Sequence, residues 1–356
     1  MRIAQVSPLF ESVPPKLYGG TERIVHYLTE ELLRQGHDVT LFASGDSVTS
    51  ADLVATRDRA IWHSPGRPDP VAAHLTMLDT VRRRADDFDV IHFHTEILHL
   101  PLFDGMSAAT LTTLHGRLDM DDLEDFYRRF PDMPLVSISR SQQRQLPDAH
   151  WLGTVHHGLP VERYPFRESN RGEYLAFLGR IAPEKGVDRA IHIAQRAGVP
   201  LRIAAKVAAH DESYFREYIK PLLEQPGVEY IGEIDDAEKA EFLGNAAALL
   251  FPVDWPEPFG LVMIEAMACG TPVIGYRNGA VPEIVDHEIT GLLVDSLDEA
   301  VAAVPRALDL DRALVRERCE RRFSVARMTV AYLALYRLLD RGLGGGRGDR
   351  RLPIAL

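Results

Sequence analysis

Short apolar runs and stretches of helical period alternate along the chain. Ile3–Ser7 is a compact apolar run suited to a strand buried on both faces. A Pro/Gly loop from Pro8 to Gly20 follows, and Thr21 is the expected helix N-cap. Ile24, Tyr27, Leu28, Glu31 and Leu32 then recur at helical spacing. Gly36 closes that helix, and Val39–Ala43 reads as the second strand. Further strands are expected at Val90–Phe93, Ala109–Leu114 and Leu135–Ile138, with helices between them. The pattern loosens from Val155 to Arg171, through His156-His157-Gly158-Leu159-Pro160 and Ser169-Asn170-Arg171-Gly172, which reads as a linker. A fresh series follows: Tyr174–Leu178, a helix around Asp188–Ala197, Leu201–Ala205, Val228–Ile231, Ala248–Phe251, Pro272–Ile274 and Gly291–Val294. Such alternation predicts an α/β chain of two Rossmann-like parallel sheets, over 1–160 and 172–322, facing a central cleft at the carboxyl ends of their strands. The Gly/Arg-rich residues 342–356 are expected to form a mobile tail.

Composition narrows the function classes. A length of 356 residues fits two domains, and 46% hydrophobic with 26% charged residues excludes global disorder. A net charge of −12 argues against nucleic acid as a partner, while leaving room for a local anion site. Of the 40 basic residues, only Lys16, Lys185, Lys206, Lys220 and Lys239 are lysines, a bias in keeping with codon usage. Two cysteines, Cys269 and Cys319, with no C-x-x-C, indicate neither a zinc site nor a disulfide framework. Together with an N-terminus that reads as a strand rather than a signal peptide, this predicts a reduced, cytoplasmic protein. No apolar run approaches a membrane span, although a peripheral membrane contact stays open.

Four segments carry candidate chemistry. In the first, a strand ending at Phe251 is followed by a Pro-rich turn with Glu257 and a helix expected from near Phe259. Gly260, Leu261 and Val262 would offer unpaired amides and a positive dipole end to a diphosphate. Glu265 falls in a helix apolar nearly all round, where a carboxylate needs partners. Ribose hydroxyls or protein donors would serve equally. The second is Gly179-Arg180 and Glu184-Lys185-Gly186, two cations at a strand end that suit a pyrophosphate leaving group or form a solvated loop pair. The third is Tyr18-Gly19-Gly20-Thr21, a weak anion-loop signal without the G-x-G-x-x-G of a dinucleotide fold; this disfavours a dehydrogenase. The fourth comprises the histidines. His92 and His94 lack a third metal ligand at recognisable spacing, whereas His115 ends a strand beside Gly116 and would face the cleft or sit in a loop. The triplets Asp87/Asp89, Asp119/Asp121 and Asp309/Asp311 read as solvated faces rather than a metal-bridged nucleotide site.

Together these segments resemble glycosyltransferase family 4, retaining nucleotide-sugar-dependent enzymes of the GT-B fold. The resemblance is carried by Glu257 and Glu265 within Glu-Pro-Phe-Gly-Leu-Val-Met-Ile-Glu-Ala-Met-Ala-Cys-Gly-Thr-Pro-Val, with Gly179-Arg180 and Glu184-Lys185-Gly186 upstream. It implies that Arg180 and Lys185 contact the donor diphosphate and that Glu257 lies by the donor sugar hydroxyls. Glu265 would lie by the ribose, Phe259 to Val262 by sugar and phosphate, and Ile234 by the base edge. Gly19 and Gly20 would close on the diphosphate, and His115 would approach the anomeric carbon and the C6 hydroxyl. The final helix, about 323–340, would cross back to the first domain. The sequence departs from the family in His157-Gly158, where Asn often precedes glycine, and at Ala205-Lys206, where a glycine is usual. The implied reaction is metal-independent, front-side transfer from a UDP-, GDP-, ADP- or dTDP-linked sugar to a sugar, lipid or small-molecule hydroxyl, with no cofactor. A sugar phosphorylase, a nucleotide-sugar epimerase and a non-catalytic nucleotide-binding protein are the alternatives.

Overall fold

The computed structural model describes residues 1–17, 19–166, 172–340 and 342. Tyr18, the linker residues Ser169-Asn170-Arg171 and the expected tail beyond Gly342 lie outside the described residues. The chain divides into two compact units: residues 1–158 joined by the helix Val325–Asp340, and Leu159–Ser324.

The first unit holds a seven-stranded parallel sheet of β1 (Arg2–Val6), β2 (Asp38–Ala43), β3 (Asp52–Ala55), β4 (Val90–Phe93), β5 (Thr110–Thr113), β6 (Leu135–Ser137) and β7 (Trp151–Thr154). Their order is β3-β2-β1-β4-β5-β6-β7. The winding reverses between β1 and β4, where ligands of open α/β sheets collect outside the strand ends. β1, β4 and β5 are buried along nearly their whole length, as strands covered on both faces are. The helix Gly20–Arg34 packs against the terminal helix Val325–Asp340. Tyr332 and Tyr336 of the terminal helix are fully buried, so their hydroxyls need partners. Thr113 Oγ1 lies 3.0 Å from the Tyr332 hydroxyl, and Gln5 Nε2 donates to the Tyr336 hydroxyl at 3.0 Å, latching the helix to the sheet.

The second unit holds a six-stranded parallel sheet of β8 (Tyr174–Arg180), β9 (Leu201–Lys206), β10 (Val228–Gly232), β11 (Ala246–Phe251), β12 (Val273–Tyr276) and β13 (Gly291–Val294). The order is β10-β9-β8-β11-β12-β13, so its winding reverses between β8 and β11. Ile191, Ile193 and Val187 of the helix Val187–Ala197 join Leu175, Ile203, Leu250 and Val304 in its core.

Two expectations need correction, and two strands lie where none was expected. β3 and β7 carry no strand signal, because both are partly exposed edge strands without an apolar run. Thr21 is not an N-cap: the first helix starts at Gly20 and Gly19 occupies the cap. The helix expected near Phe259 begins at Leu261, so Gly260 is its N-cap rather than part of its first turn. Both cysteines are free thiols, buried in the second unit. Among the described residues no helix is long and apolar enough to cross a membrane.

Candidate functional site

In the second unit, the carboxyl ends of β8 and β11 place the two acidic and basic segments side by side. β8 delivers Arg180 as its last residue, and a tight turn through Pro183–Lys185 leads into the helix Val187–Ala197. β11 runs into the Pro252–Phe259 loop. Arg189 clasps the two connections, donating to the Pro252 carbonyl at 3.1 Å and to Asp254 at 2.9 Å. The Asp254 amide also donates to the Glu184 carbonyl at 2.9 Å.

Within this frame Lys185 Nζ donates to Glu257 Oε2 at 2.5 Å. Trp255 Nε1 donates to the same oxygen at 2.8 Å, and the Lys185 ammonium lies 5.0 Å from the Trp255 ring centroid. The pair is nearly buried, with the side chains 18% and 11% exposed, so its attraction is little screened. Arg180 is held separately, donating to Glu184 at 2.6 Å and lying 3.3 Å from Asp211. His210 Nε2 accepts from Arg180 at 2.7 Å. Both cations are thus pre-positioned by carboxylates while remaining partly open to solvent.

Two glycines shape the loop. Gly260 adopts φ +84°, and a Cβ there would fall 2.8 Å from Met263 Cε and 2.9 Å from Phe251 Cζ. The Leu261 and Val262 amides behind it open the helix Leu261–Ala268 and have no acceptor within it. Phe259 is buried edge-on against Phe323, so only its backbone is placed to meet a ligand. Gly279 adopts φ +56°, and a Cβ would fall 2.3 Å from the Glu257 amide nitrogen. Ala280 donates its amide to the Glu257 carbonyl at 2.8 Å, fixing Glu257 from behind.

Glu265 is buried, and Oε1 accepts from Lys239 at 2.9 Å and from the Tyr164 hydroxyl at 3.3 Å. Of the two sequence alternatives, protein donors satisfy this oxygen. Lys239 comes from the helix Asp236–Gly244, whose capping box is built on Asp235 and Glu238. Ile234, half-buried, precedes that cap, so the expected base loop and the Glu265 carboxylate are joined through one short helix.

In the first unit, Gly19 packs on Pro15, and a Cβ there would fall 2.6 Å from the proline Cβ. The buried Glu22 carboxyl faces the same turn, with burial pushing its pKa up to about 7. The helix mouth formed by Gly19 and Gly20 therefore already holds an acid. His115, just past β5, has its amide and that of Gly116 bonded to Glu96 Oε1 at 2.9 and 3.1 Å. Glu96 adopts φ +51°, a strained conformation for a residue with a side chain. Burial also pushes its pKa up to about 7, against those two hydrogen bonds. The His115 ring stacks on His157 at 5.2 Å, and His94 Nδ1 lies 2.8 Å from His115 Nε2. His92, His94 and His99 are fully buried and hydrogen-bonded within the protein. Among the described residues no cluster of three or more His, Cys, Asp or Glu side chains is arranged to hold a metal ion.

The structure therefore brings Lys185 and Glu257 into contact, and ties Glu265 to a residue that sequence reasoning passed over. Lysine rarity singled out Lys185, and the same rarity would have marked Lys239. Trp255, Tyr164, Glu96 and Gln5 had no comparable signal.

Residues 18–152 match the family model Glycosyltransferase Family 4, and residues 162–322 match Glycosyl transferases group 1. The glycogen synthase of Mycobacterium tuberculosis is 26% identical, over 99% of this chain and 98% of that protein. Two solved structures share the fold. Sucrose-phosphate synthase from Thermosynechococcus elongatus covers 96% of this chain and 99% of its own, with TM-score 0.76 and 20% identity. Anabaena HepE, in complex with UDP-glucose, covers 95% and 99%, with TM-score 0.71 and 16% identity.

Proposed function

The chain belongs to glycosyltransferase family 4 and has the GT-B fold, and from that premise we propose that it transfers a sugar from a nucleoside-diphosphate donor to an acceptor hydroxyl with retention of configuration. The observation that carries this reading is the Lys185–Glu257 pair at the β8/β11 reversal, beside Arg180 and the amides of Leu261 and Val262. Together they offer two cations, a carboxylate and helix-terminal N–H groups to one small volume of unit 2. That set suits a diphosphate next to a sugar hydroxyl. HepE, bound to UDP-glucose, lends support to the donor class.

In this reading Arg180 and Lys185 meet the diphosphate, Glu257 accepts from a sugar hydroxyl, and Glu265 Oε2 accepts from the ribose. Ile234 borders the base. The bond between the anomeric carbon and the diphosphate oxygen breaks as the acceptor oxygen bonds the same face. The acceptor proton passes to the departing phosphate oxygen, and the two cations stabilise the charge that gathers there. The reading requires no metal ion, because the protein's own cations and amides meet that charge.

The test is a thermal-shift panel with UDP, GDP, ADP and dTDP in excess chelator. At about 100 times its dissociation constant, the true ligand adds roughly 2.7 kcal/mol of stability. A shift for one or two of the four supports the reading. No shift for any nucleotide until a divalent ion is added would contradict it.

A further inference from the structure

The departure from the family at Ala205-Lys206 leads into a loop whose His210 and Asp211 the donor reading leaves unused. Both lie on the turn Ala209–Asp211 past β9 in the second unit, anchored by the Asp211 amide, which donates to the Ala208 carbonyl at 2.9 Å. Both face Arg180 at the end of β8. Arg180 Nη1 donates to His210 Nε2 at 2.7 Å and lies 3.3 Å from Asp211 Oδ2. His210 Nε2 is itself 3.3 Å from that same oxygen. A guanidinium only donates, so His210 Nε2 holds a lone pair here and the hydrogen of the ring is on Nδ1. Asp211 Oδ2 is buried and has no hydrogen-bond partner among the described residues. Two acceptors therefore face one guanidinium nitrogen, and the site is one hydrogen short.

Arg180 alone keeps this arrangement from being repulsive. Once its N–H groups turn to a diphosphate, a nitrogen lone pair and a carboxylate oxygen stand opposed, with no hydrogen between them and the carboxylate buried without its cation. One proton on His210 Nε2 resolves both defects, because the imidazolium donates to Asp211 Oδ2 and restores the positive charge beside it. The His210 side chain is 69% exposed, so the ring exchanges protons with solvent. The other charged groups nearby have their own places. Glu184 accepts from Arg180 Nη2 at 2.6 Å, and Lys206, the register partner of Arg180, lies 3.9 Å from Glu233. Tyr214, on the helical turn that follows, has its pKa pushed up to about 12 by burial, with Asp188, Glu184 and Asp211 adding and Arg189 opposing, so it stays protonated.

We infer that His210 and Asp211 form a proton-accepting pair, closed by Arg180 in the free protein and opened by the donor diphosphate, so that binding draws a proton from solvent onto His210 Nε2. The inference rests on the donor reading above and deepens it. His210 acts through Asp211 and Arg180, as a positioning residue: by neutralising Asp211 it releases Arg180 to the phosphates. The N–H bond on Nε2 is the only bond made, and its proton returns to solvent when the nucleotide leaves and Arg180 closes on the pair again.

Two measurements on the full-length protein test this, the first without any nucleotide. The titration midpoint of His210 is read from long-range 1H–15N correlations of 15N-histidine-labelled protein, with His210→Gln to assign the signal. In Arg180→Ala it should move to higher pH by at least about one unit. Asp211→Asn in that background should reverse most of the move, which loss of a nearby positive charge alone would not do. An unmoved midpoint, or one that Asp211→Asn leaves in place, would overturn the inference. The second measurement is titration calorimetry of UDP, GDP, ADP and dTDP in chelator at pH 7.5, in buffers of different ionisation enthalpy. Per nucleotide bound, the wild type should take up about half a proton or more beyond the count for His210→Gln, which reports any proton belonging to the nucleotide itself. Wild-type affinity should fall about threefold or more from pH 7 to pH 8, and that of His210→Gln by less. Equal proton counts in the two proteins would sink the inference. Failure of all four nucleotides to bind would count against the donor reading instead, because the Arg180→Ala titration needs no ligand.

Discussion

Lys185 and Glu257 stand 72 positions apart in the chain, yet the Lys185 ammonium lies 2.5 Å from Glu257 Oε2. The pair forms because β8 and β11 are neighbours in the sheet while their connections leave in opposite directions, opening a crevice between their ends. A cation so held is already oriented for an anion, but it also shares its site with a negative charge.

Removing that charge should separate binding from turnover. Glu257→Ala is expected to bind the nucleoside diphosphate as well as the wild type or several-fold tighter, because Lys185 is released to the phosphates. Transfer should fall by more than tenfold as the sugar hydroxyl loses its acceptor. Titration calorimetry in chelator and initial rates check the two halves. Weaker binding with unchanged turnover would place Glu257 elsewhere.

Gly260→Ala should be destabilising by about 1–3 kcal/mol, because its left-handed backbone is strained for any side chain. A Cβ would also meet Met263 and Phe251. A loss of this size lowers the Tm by several degrees in a unit of this length. Calorimetry on the purified variant decides, and an unchanged Tm would mean that the loop relaxes freely.

Lys239→Ala leaves the buried Glu265 with Tyr164 as its one remaining donor among the described residues. Breaking a buried pair from one side typically costs about 3–5 kcal/mol. Glu265→Gln in the same background should recover part of the stability, while nucleotide affinity stays low because a neutral amide oxygen accepts more weakly than a carboxylate. The double-mutant cycle is read by urea unfolding. Strict additivity of the two substitutions would show that the pair is not coupled.

Acid should undo the first unit before the second. Burial lowers the pKa of His99 and of His115 to about 3, and holds His92, His94 and His157 well below the ordinary value. Each binds a proton when unfolded at a pH where it stays neutral when folded, so each favours unfolding as pH falls below about 6.5. Glu22 and Glu96, raised to about 7, act in the opposite sense. They hold protons in the folded state and contribute stability that is present in acid and lost as pH rises to neutrality. Every group contributes on the order of 1.4 kcal/mol per pH unit within its window, and five histidines outweigh two acids. Trp62 and Trp151 report the first unit in a Trp255→Phe background. Their fluorescence should show unfolding between pH 6.5 and 4, and a signal flat to pH 4 would refute this.

Much of the fold was legible because buried parallel strands are written as continuous apolar runs. β1, β4, β8 and β13 fall where those runs do. β3 and β7 were not, since an edge strand is identified by its neighbour's free hydrogen bonds, which a sequence does not display. At the site, Glu257, Glu265, Arg180 and Lys185 were readable as residue types at strand ends. Their pairings were not. Lys239 reaches Glu265 across 26 positions, and Gln5 reaches Tyr336 across 331. Such contacts depend on strand order and on the return of the terminal helix. Glu96 was invisible for another reason: its contribution comes from a positive φ that no residue type announces.

The measurement that bears most directly on the central claim is sugar transfer in chelator by Lys185→Ala, with the nucleotide sugar chosen from the thermal-shift panel. Removing a cation that stabilises the departing diphosphate should lower kcat/KM at least a hundredfold, about 2.7 kcal/mol of transition-state stabilisation, while the Tm stays near that of the wild type. A Lys185→Ala protein that folds and transfers sugar at close to the wild-type rate would contradict the assignment of this crevice as the donor diphosphate site.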